Sequence, residues 1–282
     1  MNVYVNQNGS IIREDKAAVS INNRSFRYGD GFFETMKLIK GNVVLSNYHF
    51  ERLFQSLQVL QFDIPTYFSP AYFLEQIQTL AQKNGHSKLA RIRLTMYRGN
   101  GGLYDPQNHF PNFAIQTWNL NEANNALNEN GLIVDIFEDA RKSCDQFSAI
   151  KSNNYLSYAM AALWAKKSHL NDAFLLNQYN RLADATIANV FIINNNVFKT
   201  PALSEGCVNG VMRKYLLHWL QTNDFAVEET QITTEDILNA NELFLTNGIY
   251  GIRWVQQCKH KKYSLNATSI LYKNAIKPLL AV

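Results

Sequence analysis

Hydrophobic and polar residues alternate along most of the first third of the chain, and two segments there change to a helical spacing. The segments NVYVNQNGSII and FETMKLIKGNVVLS predict hairpins that turn at Asn8-Gly9 and at residues 40–42. A helix is expected from Tyr72 to Asn84, and LARIRLTMYRG and NFAIQTW return to the alternation of strands. In NYHFERLFQSLQVLQF, apolar residues recur at three- and four-residue steps, which predicts a helix with one apolar face: Phe50, Leu53, Phe54, Leu57 and Leu60.

The segment NLNEANNALNENG is polar and rich in asparagine, and we interpret residues 119–130 as a linker. It would separate an N-terminal α/β domain, residues 1–118, from a C-terminal domain, residues 131–282. The C-terminal part is predicted to contain strands at LIVDIF, ELFLTNG and IRWVQQC, three strands within residues 172–201, and helices at NNYLSYAMAALWAKKSH and VMRKYLLHWLQTN. In TTEDILNA, Thr233 and Asp236 have the spacing of a capping box. The pattern predicts a mixed α/β (α+β) protein with two lobes.

Composition narrows the class of protein. The chain has 282 residues, of which 46% are hydrophobic and 18% charged, so it can bury a large core. The net charge of +4 is scattered rather than gathered in a basic stripe, so we expect no nucleic-acid partner. No run of apolar residues approaches the ~20 needed to cross a bilayer, and the first residues resemble a strand rather than a signal peptide. Three dispersed cysteines and six dispersed histidines favour a reduced cytoplasmic protein without a structural metal site.

Four features have possible chemistry when they are judged from the residues alone. The segment SEGCVNGVMRKYL contains a loop with two glycines and then a predicted helix start near Val211. The loop is either an anion site or an ordinary glycine-containing turn. Lys151 follows an apolar strand and is either a reactive amine or a solvated turn lysine. Arg52 lies off the apolar stripe of its helix, which suggests a solvent-facing side chain, and Asp184 suggests a turn or edge carboxylate. No reaction follows from these residues alone.

Six segments, taken in order, resemble a known family. They are RYGDGFFET (27–35), HFERL (49–53), IKSNNYL (150–156), DATIANVF (184–191), CVNGVMR (207–213) and FLTNG (244–248). Together they resemble the class IV (fold type IV) pyridoxal-phosphate enzymes, which include branched-chain and D-amino-acid aminotransferases and 4-amino-4-deoxychorismate lyase. The resemblance implies a smaller N-terminal α/β domain, a larger C-terminal pseudo-barrel domain and pyridoxal 5'-phosphate as cofactor. It also implies a small-molecule amine or amino acid substrate and a homodimer.

The resemblance also implies residues for the phosphate end of the cofactor. Arg52 matches the arginine that contacts the phosphate. Val211 and Met212 match positions whose backbone N–H groups bind it, and Gly248 and Ile249 match a second phosphate-contacting turn. The family pattern therefore implies that Arg52 faces a polar cofactor cavity and not solvent.

At the reactive end, Lys151 matches the lysine that bonds to the cofactor aldehyde and then moves protons. Asp184 matches the acidic residue that pairs with the pyridine nitrogen, where the family usually has glutamate. A carboxylate there keeps the nitrogen protonated, so that the ring withdraws electrons. Tyr155 matches a tyrosine that reaches the phenolic oxygen, although its spacing from Lys151 is one residue shorter than in the branched-chain enzymes.

Details of the motifs favour the lyase over the aminotransferases. GCVNGVMR and KSNN resemble the aminodeoxychorismate lyases, and Thr35 stands where lyases have threonine and branched-chain enzymes have glycine. Leu103 stands where D-amino-acid aminotransferases have a carboxylate-binding arginine. The lyase would produce pyruvate and 4-aminobenzoate, a folate precursor. A branched-chain or other small amino acid aminotransferase and a catalytically silent cofactor-binding protein remain as alternatives.

Substrate contacts are expected from one arginine and several aromatic residues. Arg93, Arg98 and Arg253 are the candidates for the substrate carboxylate, and the sequence does not choose among them. The aromatic residues expected to line the pocket are Tyr28, Phe32 and Phe33.

Overall fold

The computed structural model describes residues 3–105 and 107–281, and these form two compact units. One unit comprises the described residues up to Glu122 together with Ile150–Asn154, and the other comprises Ala123–Ala149 and Tyr155–Ala281. Across these residues, every helix is too short or too polar to cross a bilayer.

The first unit contains an antiparallel sheet and two long helices. Within the described part of the chain, the strand order is β2-β1-β6-β5-β3-β4, and all neighbours are antiparallel. The elements are β1 (Tyr4–Gln7), β2 (Ser10–Arg13), α1 (Arg24–Tyr28), β3 (Gly31–Ile39), β4 (Asn42–Val43), α2 (Ser46–Val59), α3 (Pro70–Lys83), β5 (Leu89–Arg98) and β6 (Pro111–Asn119), with a 3-10 turn at Glu14–Lys16. The predicted hairpins, helices and strands of this region are confirmed.

Local sequence explains several of these boundaries. Asn8 and Gly9 both have positive φ, 53° and 88°, which suits the tight turn between β1 and β2. Helix α3 begins after Ser69, whose side chain accepts a hydrogen bond from the backbone N–H of Tyr72. It ends before Gly85, which has a φ of 71°.

The two faces of β3 and β5 have different surroundings. Phe32, Met36, Ile92 and Leu94 point to one face and join the core that also contains Leu53 of α2. Strand pairing places Thr35 opposite Arg93 and Phe33 opposite Thr95. Because side chains alternate along a strand, these four residues share the other face.

The second unit contains a larger, curled sheet of the half-barrel type. For the residues that are described, the order is β12-β11-β10-β13-β14-β7-β8-β9, with β15 beside β14. The elements are β7 (Leu132–Lys142), α4 (Leu156–Lys167), β8 (Asp172–Asn177), β9 (Leu182–Ala185), β10 (Asn189–Asn194), β11 (Val197–Pro201), α5 (Val211–Thr222), β12 (Val227–Thr230), α6 (Thr234–Asn239), β13 (Glu242–Asn247), β14 (Gly251–Cys258), β15 (Lys261–Lys262) and α7 (Ala267–Leu271). Shorter turns occur at Glu122–Asn125, Leu203–Glu205 and Tyr272–Ile276.

Two helix starts in this unit agree with the sequence. The capping box between Thr233 and Asp236 is present at α6, and α5 begins at Val211. Helix α4 is apolar on two sides. Its buried side carries Tyr158, Ala161 and Ala165, whereas a second apolar stripe, which includes Leu156, Met160 and Leu163, is exposed.

Candidate active site

Lys151 is held by pairing between residues 150–154 and the start of β3. The backbone N–H of Phe33 donates to the carbonyl oxygen of Lys151 over 3.0 Å, and the N–H of Asn153 donates to the carbonyl of Gly31 over 2.9 Å. Ile150, next to Lys151, is buried in the core of the same unit. The lysine side chain therefore extends from a fixed backbone, and it is half-buried rather than fully solvated.

The Phe33 ring lies beside two cations, on the face of β3 and β5 that also carries Thr35. The Nζ of Lys151 lies 4.8 Å from the centre of the Phe33 ring, and the Cζ of Arg93 lies 3.7 Å from it. Nε of Arg93 donates to the hydroxyl of Thr95 over 3.2 Å. Thr35 stands opposite Arg93 in the strand pairing. An amine, a guanidinium and hydroxyl groups are therefore present on one face, which suits an anionic substrate.

Arg52 is buried against β3. Its position on the helix alone suggested a solvent-facing side chain, and that suggestion is wrong. Its Nε donates to Oε1 of Glu34 over 2.7 Å, and its Nη2 donates to Oε2 over 2.6 Å. The Nδ1 of His49 lies 2.7 Å from the same Oε2. This bidentate geometry fixes the plane of the guanidinium.

The charge states of these groups follow from their burial and their partners. Burial raises the pKa of Glu34, but the Arg52 charge and the hydrogen bonds from His49 and Arg52 outweigh it and lower the pKa to about 2. Burial lowers the pKa of His49. Glu34 is therefore a carboxylate and His49 a neutral ring at neutral pH.

Arg98 has a different environment from Arg93. Its guanidinium donates to Asp30 over 3.1 Å and to the carbonyl oxygens of Leu60 and Gln61. Its Cζ lies 4.1 Å from the ring of Phe62, and the residue is buried. These contacts tie the end of β5 to the segment after α2, which gives Arg98 a structural role.

Tyr28 lies at the end of α1. Its ring is 6.1 Å from that of Tyr104, and the Cζ of Arg27 lies 4.9 Å from its centre. Gly29 follows with a φ of 69°, and a Cβ at that position would meet the side chain of Asn154 at 2.3 Å. The turn after Tyr28 therefore packs closely on the segment that carries Lys151.

In the second unit, Asp184 lies within β9, the last strand in the sheet order, and is 2% exposed, so it is not in a turn and its carboxylate is buried. Its Oδ2 accepts hydrogen bonds from the hydroxyl of Tyr158 over 2.8 Å and from the N–H of Val208 over 2.9 Å. Its Oδ1 accepts from Nδ2 of Asn189 over 2.9 Å, and Nζ of Lys142 lies 3.6 Å from Oδ2. These donors favour the ionised form of a buried carboxylate.

The loop that contains Gly206 and Gly210 is hydrogen-bonded to the Asp184 carboxylate. Besides the bond from the N–H of Val208, Asn189 donates to the carbonyl of Val208 over 2.8 Å. A Cβ on Gly210 would lie 1.8 Å from Oδ1 of Asn189, so only glycine fits there. Gly206 has a φ of 85°, and a Cβ there would meet the carbonyl of Ser143 at 2.2 Å. The loop geometry therefore depends on both glycines.

Helix α5 follows the loop and begins without a side-chain cap. Gly210 occupies the N-cap position, and Val211 and Met212, the first two residues of the helix, are buried. Uncapped N–H groups and the positive end of a helix bind phosphate. A second turn lies after β13, where Oδ1 of Asn247 accepts hydrogen bonds from the N–H groups of Ile249 and Tyr250. Gly248 lies between Asn247 and Ile249 in this turn.

Tyr155 lies just before α4. Its hydroxyl donates to the carbonyl of Thr186 over 2.8 Å, and its ring stacks on that of Tyr158 with centres 4.7 Å apart. The stacking partner is thus also the residue that donates to Asp184.

The residue types of the two units fit pyridoxal phosphate. The first unit supplies an amine, Lys151, and a buried arginine, Arg52. The second supplies a buried carboxylate, Asp184, and the uncapped start of α5. Aldehyde, phosphate and pyridine nitrogen, three of the polar parts of the cofactor, each have a matching residue type in one unit or the other.

Several residues of the site were not singled out from the sequence. Glu34 and His49 lie within the segments GDGFFET and HFERL, and Asn189 lies within DATIANVF, so the motifs contained them without assigning a role. Lys142 and Tyr158 lie outside any local pattern that pointed to them. Their contacts with Asp184 arise only from the fold, in which β8 lies between β7 and β9 and α4 packs on β7 and β8.

Comparisons with known proteins agree with this description. A protein of Methanocaldococcus jannaschii, provisionally named a branched-chain-amino-acid aminotransferase, is 31% identical over 87% of this chain and 84% of its own. The aminodeoxychorismate lyase of Vibrio harveyi is 29% identical over 83% of this chain and 85% of its own. The structure of the branched-chain aminotransferase of Thermoproteus uzoniensis with norvaline superposes with a TM-score of 0.89 at 21% identity, covering 99% of this chain and 95% of that one.

These similarities confirm the predicted fold, and the family model described as amino-transferase class IV matches residues 31–258. Because that match spans most of the chain, membership no longer depends on the six short segments. The chain belongs to the class IV aminotransferases and is a pyridoxal-phosphate-dependent enzyme of that family.

Proposed function

We propose that the enzyme converts 4-amino-4-deoxychorismate to 4-aminobenzoate and pyruvate. The observation that supports this reaction is the face of the first unit on which Thr35 stands opposite Arg93. The same face carries Phe33, whose ring lies 4.8 Å from Nζ of Lys151. A hydroxyl and a guanidinium near the reactive amine suit an anionic substrate that must lose a proton. The similarity to the Vibrio harveyi lyase adds support.

The proposal assigns the cofactor to residues of this chain. Lys151 would bond to the aldehyde, and Asp184 would face the pyridine nitrogen. The phosphate would be held by Arg52, by the N–H groups of Val211 and Met212 and by the turn at Gly248–Ile249, and Tyr155 would approach the phenolic oxygen. When bound, pyridoxal phosphate withdraws electrons from the substrate carbon that carries the amine.

The protein residues would then act on the substrate. Lys151, released when the substrate amine takes its place, would remove the proton from the carbon that carries the amine. Thr35 would orient the substrate or assist this transfer, and Arg93 would bind a carboxylate of the substrate. We prefer Arg93 to Arg98 because the guanidinium of Arg98 already donates to Asp30 and to backbone carbonyls. The electron pair of that C–H bond would then break the C–O bond between the ring and the enolpyruvyl group, and the ring would become aromatic. The released enolpyruvate would take up one proton and become pyruvate.

A second candidate function is transamination of a branched-chain or other small amino acid. The 31% identity to the Methanocaldococcus jannaschii protein favours it. The Phe33 ring beside Lys151 would also suit an aliphatic side chain. In this reaction Lys151 would return the proton to the cofactor carbon, and the product would be a 2-oxo acid. A silent cofactor-binding protein is not proposed, because the chain belongs to a family of enzymes.

We further propose that the enzyme is a cytoplasmic homodimer. The exposed apolar stripe of α4, with Leu156 75% and Met160 47% exposed, supports the dimer, since such a stripe is suited to contact with a second copy. The three cysteines are free thiols, as is usual for proteins of a reducing compartment.

Two measurements test the proposed function. Reduction with borohydride in the presence of pyridoxal phosphate should attach the cofactor to Lys151, as found by peptide mass spectrometry, and K151A should lose this label. K167A, which replaces an exposed lysine of α4, should keep it. The protein should release pyruvate and 4-aminobenzoate from 4-amino-4-deoxychorismate. Rapid 2-oxo acid formation from leucine without this release would reverse the order of the two candidates, and failure to attach the cofactor would contradict both.

A further inference from the structure

Asp184 shares its buried environment with a lysine ammonium. Nζ of Lys142 lies 3.6 Å from Oδ2 of Asp184, and the Lys142 and Asp184 side chains are 9% and 3% exposed. The same Nζ donates to the hydroxyl of Tyr158 and lies 4.7 Å from the centre of its ring. Lys142, Tyr158 and Asp184 therefore form one hydrogen-bonded network in the second unit.

An irregularity in β7 brings Lys142 to this place. Phe137 pairs with Leu175 of β8, but the next pair is Arg141 with Leu176, so residues 138–140 have no partner on β8. Arg141 closes this bulge by donating to the carbonyl of Glu138 over 2.7 Å. A bulge changes the direction in which the following side chains point, and here only Arg141 lies between the bulge and Lys142.

Two uncharged side chains also lie near the carboxylate, those of Tyr158 and Cys207. Burial, together with the Asp184 charge, raises the pKa of the Tyr158 hydroxyl well above its ordinary value. Burial also raises the pKa of the Cys207 thiol to about 12. Arg213, a further cation near Cys207, pairs with Glu229 over 2.5 Å. Lys142 therefore places an ammonium directly beside the Asp184 carboxylate.

We propose that Lys142 is a positioning residue that acts through Asp184. The Asp184 carboxylate favours a proton on the pyridine nitrogen of the cofactor, and the Lys142 charge reduces this effect. The inference rests on the proposed cofactor site. A carboxylate raises the proton affinity of a nearby base, and a cation beside that carboxylate opposes the effect. In a poorly solvated site, this opposition acts at short range with little screening. Lys142 thus limits how strongly the cofactor ring withdraws electrons. In this chain the acidic residue proposed to face the ring nitrogen is Asp184, where the family usually has glutamate.

Lys142→Met and Lys142→Gln test this role by a spectroscopic measurement that does not depend on turnover. Pyridoxal phosphate labelled at the ring nitrogen is bound to each protein, and the NMR shift of that nitrogen is followed against pH. We expect both variants to raise the pKa of the ring nitrogen by about 1 to 3 units, because a positive charge within a few ångströms is lost. Lys142→Arg, which keeps the charge, should stay near the wild-type value.

The controls separate this role from a structural one. Lys199→Met removes another lysine of the same unit, paired with Glu228 over 3.2 Å at the surface, and should leave the titration unchanged. Glutamine retains hydrogen bonding to Tyr158, so it provides a folded variant if methionine destabilises the protein. An unchanged ring pKa in both neutral variants would overturn the inference. So would a wild-type ring nitrogen that stays protonated up to the highest pH at which the protein is folded. If the cofactor does not attach to the wild-type protein at all, the proposed function fails and the inference fails with it.

Discussion

The backbone N–H of Phe33 donates to the carbonyl oxygen of Lys151 over 3.0 Å, although the two residues are far apart in the chain. The same two residues are in contact through their side chains, with Nζ of Lys151 lying 4.8 Å from the ring centre. The strand that carries Phe33 also carries Thr35 and, on its other face, Glu34, the partner of Arg52. One strand, β3, therefore positions Lys151, the proposed reactive amine, and Arg52, the arginine of the proposed phosphate site.

Phe33→Leu should weaken catalysis more than stability. The ring lies against Lys151 and Arg93, and each cation–π contact contributes about 0.5–2 kcal/mol. We expect kcat/KM to fall by about 10-fold, because misplaced reactive groups lose orientation. Phe26→Leu, at a position 75% exposed, is the control and should retain full activity. Equal losses of activity in the two variants would show that the contacts of Phe33 are not used.

Glu34→Gln should make the protein less stable and change its response to acid. The folded-state pKa of Glu34 is lowered from 4.5 to about 2, so its contribution to stability is present above pH 4.5 and is lost as the pH falls towards 2. Removing one partner of a buried ion pair costs about 3–5 kcal/mol. Urea unfolding of the apoprotein should therefore show a large loss at pH 7 that shrinks in acid.

The matched control for this variant is Glu122→Gln. Glu122 pairs with Lys88 over 2.7 Å, but both side chains are mostly exposed. Exposed pairs contribute little, so the unfolding midpoint should stay at the wild-type value. A stability difference between wild type and Glu34→Gln that does not change with pH would contradict the assigned role of the Glu34 charge.

Tyr158→Phe should leave the buried Asp184 with one donor fewer. The hydroxyl of Tyr158 donates to Oδ2 over 2.8 Å, and loss of a hydrogen bond to a buried charged group costs about 1.5–3 kcal/mol. Thermal unfolding of the apoprotein measures this loss, and the affinity for pyridoxal phosphate should fall as well. Tyr179→Phe, at a residue 57% exposed, should change neither quantity. Full stability of the Tyr158 variant would mean that water replaces the lost donor.

Gly210→Ala should disturb the start of α5. The φ of Gly210 is −66°, so alanine meets no backbone strain, but its Cβ would lie 1.8 Å from Oδ1 of Asn189. We expect affinity for pyridoxal phosphate to fall at least about 10-fold, since loop and carboxylate are joined through Asn189. In the double variant with Asn189→Ala the clash is absent, so its loss of cofactor affinity should be smaller than the sum of the two single losses. If the losses of cofactor affinity in the two single variants added strictly in the double variant, the clash with Asn189 would be relieved by movement of other residues.

Met160→Glu should dissociate the proposed homodimer. Met160 lies in the middle of the exposed apolar stripe of α4, and a buried, unpaired charge at an interface is strongly unfavourable. Light scattering after gel filtration should then give the mass of one chain. Ile270→Glu, at a residue of α7 that is 52% exposed, should keep the mass of two chains. A wild-type protein that elutes as a single chain would contradict the dimer.

Most of the longer elements of this protein and its family could be predicted from the sequence because they depend on local signals. The short elements α1, β12 and α7 were not predicted, and residues 172–201 form four strands where three were predicted. The turn at Asn8-Gly9, the apolar stripe of α2, the capping box at Thr233 and the start of α5 at Val211 depend on residues within a few positions of one another. The six motif segments likewise need no knowledge of contacts between them. Lys151, Arg52 and Asp184 could be selected in this way, since each lies inside a motif.

Contacts between distant segments were decided only by the tertiary structure. Helix α4 is apolar on two sides, so its spacing did not show that Tyr158 would be buried and Leu156 exposed. Arg93 and Arg98 lie on one strand, and only strand pairing shows that one stands opposite Thr35 while the other binds Asp30. Lys142 reaches Asp184 because β7 contains a bulge and lies beside β8, which pairs with β9. Such contacts depend on which strands become neighbours, and the spacing of residues within one strand or helix does not carry that information.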